Sequence, residues 1–215
     1  SISDSPPACF GGDGVITIVV LSGGTGSYEY LLERDFPVVG WGPFATISPP
    51  SSNPPLPFDV PSGSYRIVVT DDAGCSQTSV VIDIFDPLEL IADPTTYDDI
   101  TCNGLNDGTA TVVNPSGGTP FSGPNAYTYL WDDPLGQTTQ TATGLSPGTY
   151  TCTITDANGC FIITSSVTIS QPSAPLSATS VVTAVACHGE ATGAIDINVV
   201  GGTSLYTYSW VASNG

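Results

Sequence analysis

The sequence predicts an all-β protein made of tandem antiparallel β-sandwich repeats, the last of them truncated. Three observations carry the prediction. One composite pattern recurs three times along the 215 residues, at intervals of 85 to 93 positions. Every periodic segment inside it is short, β-branched or aromatic, and bounded by Gly, Pro, Asn or Asp, as strands are. No segment keeps a 3.6-residue apolar spacing over two turns, so nothing argues for a helix.

The first landmark of each copy is a cysteine that opens a Gly-rich or acidic turn before an alternating strand. These openers are Cys9 (before Asp13-Gly14 and Val15-Ile16-Thr17-Ile18-Val19-Val20), Cys102 (before Asp107-Gly108) and Cys187. The second is Gly-Gly-Thr followed by a Tyr-x-Tyr strand: Gly23-Gly24-Thr25 with Tyr28 and Tyr30, Gly117-Gly118-Thr119 with Tyr127 and Tyr129, Gly201-Gly202-Thr203 with Tyr206 and Tyr208. Alternation along such a strand puts every second ring on one face. Trp131 and Trp210 close two of these strands and read as core anchors of an Ig-like sandwich; Leu32 holds that place in the first copy. The third landmark is a strand beginning Gly-x-Tyr and ending in an acidic turn with a closing cysteine. It runs from Gly63 to Cys75 and from Gly148 to Cys160, so the closers lie 85 residues apart. The expected strands here are Tyr65–Thr70, Ser79–Ile84, Tyr150–Thr155 and Val167–Ser170.

Six or seven such strands in about 85 residues make a small sandwich. Proline-rich seams at Asp86-Pro87 and Gln171-Pro172 set the expected repeat boundaries at 1–87, 88–173 and 174–215. Residues 33–62 form an expected loop insertion in the first copy, rich in proline and carrying Trp41, Phe44 and Phe58. The third copy stops soon after Trp210, the expectation for a piece of a longer array.

Composition narrows function. Twenty acidic residues face only Arg34 and Arg66, a formal charge of −18. Nucleic-acid binding needs a basic stripe to displace counterions, and docking on anionic lipid needs the same. No run reaches the length of a membrane-spanning helix, so direct membrane insertion is not expected. Widely spaced cysteines without a Cys-x-x-Cys pair, in an acidic chain rich in Thr, Ser and Gly, point to an extracellular protein stapled by disulfides. Because Cys9 with Cys75, and Cys102 with Cys160, bracket equivalent strands, the expected pairings are Cys9–Cys75 and Cys102–Cys160. Cys152 reads as a buried strand thiol.

No catalytic or cofactor-binding residue is expected. His188 is the single histidine and sits in a turn where the other copies have Phe10 and Asn103, so no nucleophile–base device is implied. Acidic turns are the one credible ligand feature: Asp71, Asp107 and Asp156 within the copies, and Asp98 and Asp99 near a seam, are the calcium candidates. Ordinary turn chemistry accounts for the same residues, since Asp bonds its own backbone there.

Taken in order, the Cys-x-Gly, Asp-Gly, Gly-Gly-Thr, Tyr-x-Tyr-x-Trp, Gly-Thr-Tyr-Thr and Asp-Ala-Asn-Gly-Cys elements resemble the SprB repeat. Residues 102–172 carry the resemblance most completely. It implies Ig-like modules without catalysis in very large surface adhesins of Bacteroidetes-type bacteria, exported by type IX secretion and, in gliding species, moved along the cell surface. The expected function is therefore that of a structural and adhesive region of a cell-surface filament. Its partners would be neighbouring repeats, further copies in a fibre, and surface or glycan ligands of unspecified chemistry. The competing reading is a non-catalytic accessory module of a secreted enzyme. With only two basic residues, such a chain also offers trypsin-like proteases little to cut.

Overall fold

The computed structural model describes residues 2–18, 23–24, 26–51 and 57–211, excluding the side chains of 47–51 and 94. All regular structure among them is β, in antiparallel sheets, as expected of tandem sandwich repeats. The chain divides into two compact units. The first is Ser1–Ile91 together with Ser116–Tyr127 and Thr155–Phe161; the second is Ala92–Pro115, Thr128–Ile154 and Ile162–Gly215. This division departs from the sequence repeats because two turns of the second copy are counted with the first.

The first unit contains β1 (Ile2–Ser5), β2 (Gly14–Ile18), β3 (Tyr28–Phe36), β4 (Gly40–Ser51), β5 (Phe58–Val60), β6 (Gly63–Asp71), β7 (Ser76–Thr78) and β8 (Ile82–Ile84). One sheet runs β1-β2-β5; the other runs β4-β3-β6-β7, with β8 also paired to β6. Alternate residues of these strands point inward, and Ile16, Ile18, Tyr30, Leu32, Val60, Tyr65, Ile67, Ile82 and Ile84 form one buried core. Leu32 is fully buried, which bears out its reading as a core anchor. The expected strand Val15–Val20 extends into positions outside the described residues.

The insertion is not a loop. Glu33–Phe36 prolong β3 and Gly40–Ser51 return as β4, a hairpin turned at Pro37-Val38-Val39 with Gly40 at φ +73°. β4 is an edge strand, where proline costs no ladder hydrogen bond, so the prolines that suggested a loop are compatible with it. The hairpin packs on its own copy. Phe44 meets Tyr65 edge to face at 5.5 Å between centroids. The Arg66 guanidinium lies 4.5 Å from the Trp41 ring centroid, and its Nε donates to Glu33 at 2.6 Å. Arg34 lies against Tyr65 and Phe36 and donates to the Ser62 carbonyl at 2.7 Å. Both basic side chains of the protein are thus spent on this hairpin.

The second copy provides β9 (Ile91–Asp98), β10 (Gly108–Ser116), β11 (Thr128–Trp131), β12 (Thr141–Leu145), β13 (Gly148–Tyr150), β14 (Cys152–Thr155), β15 (Phe161–Ile163) and β16 (Val167–Ile169). Their pairings are β12-β10-β9, β11-β14-β15 and β13-β16. Buried residues of this unit include Val112, Trp131, Ala142, Leu145, Tyr150, Cys152, Ile154, Val167 and Ile169. The Trp131 indole donates to the Thr139 carbonyl at 2.9 Å, so its one polar atom is satisfied in the core.

Two expected strands are broken by side chains that take over backbone partners. Tyr150–Thr155 divides at Thr151, whose N–H and hydroxyl both donate to Asp132, at 2.8 and 2.9 Å. The first copy has the Glu33–Arg66 pair at these positions, and β6 runs through unbroken. Ser79–Ile84 shortens to β8 because the Ser79 hydroxyl accepts the Ile67 N–H. Thr164 does the same for Cys152 in the second copy. A hydroxyl at this repeat position therefore ends one short strand and starts the next, splitting β7 from β8 and β15 from β16.

The third copy supplies a hairpin of β17 (Ser177–Thr183) and β18 (Ala194–Val200). Trp210 is 62% exposed where Trp131, at the same repeat position, is 1% exposed.

Asp133 is buried in the turn after β11 and accepts the N–H groups of Leu135 and Gln137 and the Gln137 amide. Burial works to raise its pKa, but these donors together outweigh it and hold the carboxyl below its ordinary value. A depressed folded-state pKa contributes stability that is present above the unfolded value and lost as pH falls through the folded one. The wild-type advantage over Asp133→Asn in urea melts is thus expected to be constant above about pH 5 and to shrink below about pH 4. An advantage independent of pH would contradict this account.

Candidate functional site

The chemistry-bearing residues of the chain converge on its cysteine turns. The turn closing the second copy is built by Asp156, which is 1% exposed. Its Oδ1 accepts the N–H groups of Asn158 and Cys160, at 3.0 and 2.8 Å, and its Oδ2 accepts the Thr119 N–H at 2.8 Å. One carboxylate thereby fixes the closing turn and joins it to the Gly-Gly-Thr turn. That second turn needs both glycines. A Cβ on Gly117 would stand 1.8 Å from the Glu89 carbonyl oxygen, and one on Gly118 would meet the Asp156 carboxylate at 2.6 Å. The close approach lets the Gly118 N–H donate to Leu88 O at 2.8 Å, so the preceding linker lies on the turn.

Cys160, so placed, is joined by a disulfide to Cys9, with Cα atoms 5.6 Å apart. Asn158 Nδ2 reinforces the junction by donating to Ala8 O and Thr119 Oγ1, both at 3.0 Å. This corrects both expected pairings. Cys75 and Cys102 are exposed free thiols, as is Cys187, and neither Cys9–Cys75 nor Cys102–Cys160 forms. The expected scheme assumed that a cysteine opening a copy pairs with the one closing the same copy. The physical arrangement is different: the opener of the first copy reaches the closer of the second, because the residues 155–161 turn packs within the first unit.

The framework of this junction is repeated. In the first copy, Asp71 Oδ1 accepts the N–H groups of Ala73 and Cys75, at 3.0 and 2.8 Å. The tyrosine after each Gly-Gly pair donates to the first glycine's carbonyl, in Tyr28–Gly23, Tyr127–Gly117 and Tyr206–Gly201. The N–H of Gly202 donates to Ala174 O as Gly118 does to Leu88.

The other calcium candidates hold turns too. Asp107 accepts from the hydroxyl and N–H of Thr101, Asp98 from Thr109, and Asp99 from the Ser170 N–H. Among the described residues, no three acidic, His or Cys side chains stand together in a way that would hold a metal ion. His188 is exposed in the turn after Cys187. The sequence places Asn158 on a tight turn without a part in any junction; its signal is that the second copy reads Asp-Ala-Asn-Gly-Cys where the first reads Asp-Asp-Ala-Gly-Cys.

Segments 2–35, 95–136 and 179–215 match the SprB repeat, together more than half of the chain. The chain belongs to the SprB repeat family. No curated protein matches it. Each SprB segment begins seven or eight residues before an opening cysteine and covers that cysteine, the Gly-Gly-Thr turn and the Tyr-x-Tyr strand.

Cys152 lies apart from these turns. It is fully buried in β14, and desolvation pushes its thiol up to about 11. Iodoacetamide at neutral pH is expected to label Cys75, Cys102 and Cys187 in the native protein and to reach Cys152 only after denaturation. Labelling of all four thiols at similar rates would contradict the buried placement.

Proposed function

We propose that this chain is a structural and adhesive stretch of a repetitive protein exposed on the cell surface. The observation that carries the reading is the threefold SprB repeat. Stability in the first two copies comes from β cores and fixed turns, and a disulfide suits the chain to an oxidising exterior. The charge of −18 acts in the same direction, keeping successive copies soluble and mutually repelling outside the cell. The role is presentation and attachment rather than turnover: the copies form a stalk whose exposed loops meet surfaces or glycans, and in gliding cells the stalk would move with the surface machinery. Antibody raised to the chain tests this on the organism that makes it. Labelling of intact cells, together with reduced attachment to glass when Fab fragments are added, is the expected result. Labelling that requires permeabilised cells would overturn the reading.

A further inference from the structure

The free thiols Cys75, Cys102 and Cys187 stand at the same repeat positions as the two cysteines that are bonded. Cys75 is a closer, 85 residues before Cys160, while Cys102 is an opener, 93 residues after Cys9. Local structure is equivalent as well as sequence. The Asp71 carboxylate fixes the Cys75 N–H at 2.8 Å, as Asp156 fixes that of Cys160. The carbonyls of Cys9, Cys102 and Cys187 each accept an N–H from three residues on, so the opening turns match too.

What differs is occupancy. Beside Cys160, the second copy's Gly-Gly turn bears the linker at Leu88 and Glu89, and the closing turn bears Ala8 and Cys9. Beside Cys75 the described residues leave instead an open groove of about 590 Å³, lined by Gly23, Gly24, Tyr28, Val69, Asp71 and Val80 among others. Gly23, Gly24, Tyr28 and Asp71 are the counterparts of Gly117, Gly118, Tyr127 and Asp156, the residues that frame the occupied place.

We propose that the groove beside Cys75 receives the opening cysteine turn of another copy of this repeat, forming an opener-to-closer disulfide like Cys9–Cys160, so that copies are linked covalently in a staggered ladder. The occupant is a repeat of the same kind, because the equivalent closing turn is joined through Cys160 to the opener Cys9 while the equivalent Gly-Gly turn carries the linker at Leu88 and Glu89, both of them segments of such repeats. Cys102 and Cys187 are openers available to closers of further copies. The chemistry is thiol–disulfide exchange with a low-molecular-weight disulfide as oxidant. The Cys75 thiolate attacks the oxidant and expels one thiol. The opener thiolate then attacks that mixed disulfide, forming the inter-copy bond and expelling the second thiol. Two protein thiols are oxidised and one oxidant disulfide is reduced to two thiols.

The test uses the 215-residue chain at high concentration with oxidised glutathione, in enough salt to screen its charge. Products are mapped by mass spectrometry without reduction. The expected product is Cys75 joined to Cys102 or Cys187 of a second molecule, with Cys9–Cys160 retained. Cys75→Ser should abolish these oligomers. Val80→Arg alters the groove at an exposed lining position other than the cysteine itself. It should lower the yield about tenfold, the ratio that corresponds to 1.4 kcal/mol, while leaving glutathione capping of Cys75 unchanged. Cys75–Cys75 dimers as the main product, capping by glutathione alone, or a Val80→Arg yield equal to wild type would each overturn the proposal. None of these outcomes depends on whether the protein is an adhesin.

Discussion

Replacing Cys9 and Cys160 together by serine is expected to destabilise the first unit by about 5 kcal/mol, the largest effect of any change considered. The two residues are 151 positions apart, so the bond restricts a very long stretch of the unfolded chain. On the chain-entropy account, a loop of that size is worth about 5 kcal/mol. With a urea slope of about 2 kcal/mol per molar, the unfolding midpoint should fall by about 2 M. Reduction of the wild type should reproduce most of this shift. Cys75→Ser should change the midpoint by no more than about 0.5 kcal/mol equivalent, because that thiol is exposed and unbonded. An unchanged midpoint in the double variant would show that the bond does not restrain the unit.

The second large effect is expected at Trp131. Its side chain is 1% exposed and its indole N–H is committed to the Thr139 carbonyl. Trp131→Ala leaves a large cavity and an unpartnered carbonyl together, a cost of about 3 to 5 kcal/mol. Trp210, at the same repeat position, is 62% exposed, and its replacement by alanine should cost no more than about 0.5 kcal/mol. The contrast separates burial from residue type. Equal effects in thermal melts of the two variants would contradict the core described for the second copy.

Much of this arrangement was legible in the residues. The threefold pattern fixed the family, and period-2 alternation located β2, β6, β10 and β16 because one face of each strand must be buried. Trp131 and Leu32 stood out as anchors since an apolar side chain in mid-strand at a repeated position has few places to go but the core. The losses have physical causes. Thr151 and Ser79 interrupt strands through side-chain hydrogen bonds to the backbone, which depend on partners such as Asp132 that pack beside them and are invisible to a local pattern. Residues 33–62 read as a loop on their extra length and proline content, although an edge strand such as β4 tolerates proline.

The disulfide was the principal miss, and the reason is instructive. Six cysteines allow 15 complete pairings, and sequence spacing does not choose among them. The assumption that each copy closes on itself chose wrongly, since turn packing brings Cys160 to Cys9 across the repeat boundary. Asp71 and Asp156, attractive as oxygen donors, are instead the residues that hold those turns in shape, their Oδ1 atoms saturated by backbone N–H groups.

The central claim is that an opening cysteine of one repeat bonds the closing cysteine of the next. Peptide mapping of the oxidised protein without reduction tests it most directly, using a protease that cuts at aspartate, since the chain has no lysine and only two arginines. The account predicts a cross-linked peptide pair containing Cys9 and Cys160, with Cys75 and Cys102 recovered outside that bond. Recovery of Cys9 joined to Cys75, or of Cys102 joined to Cys160, would contradict it.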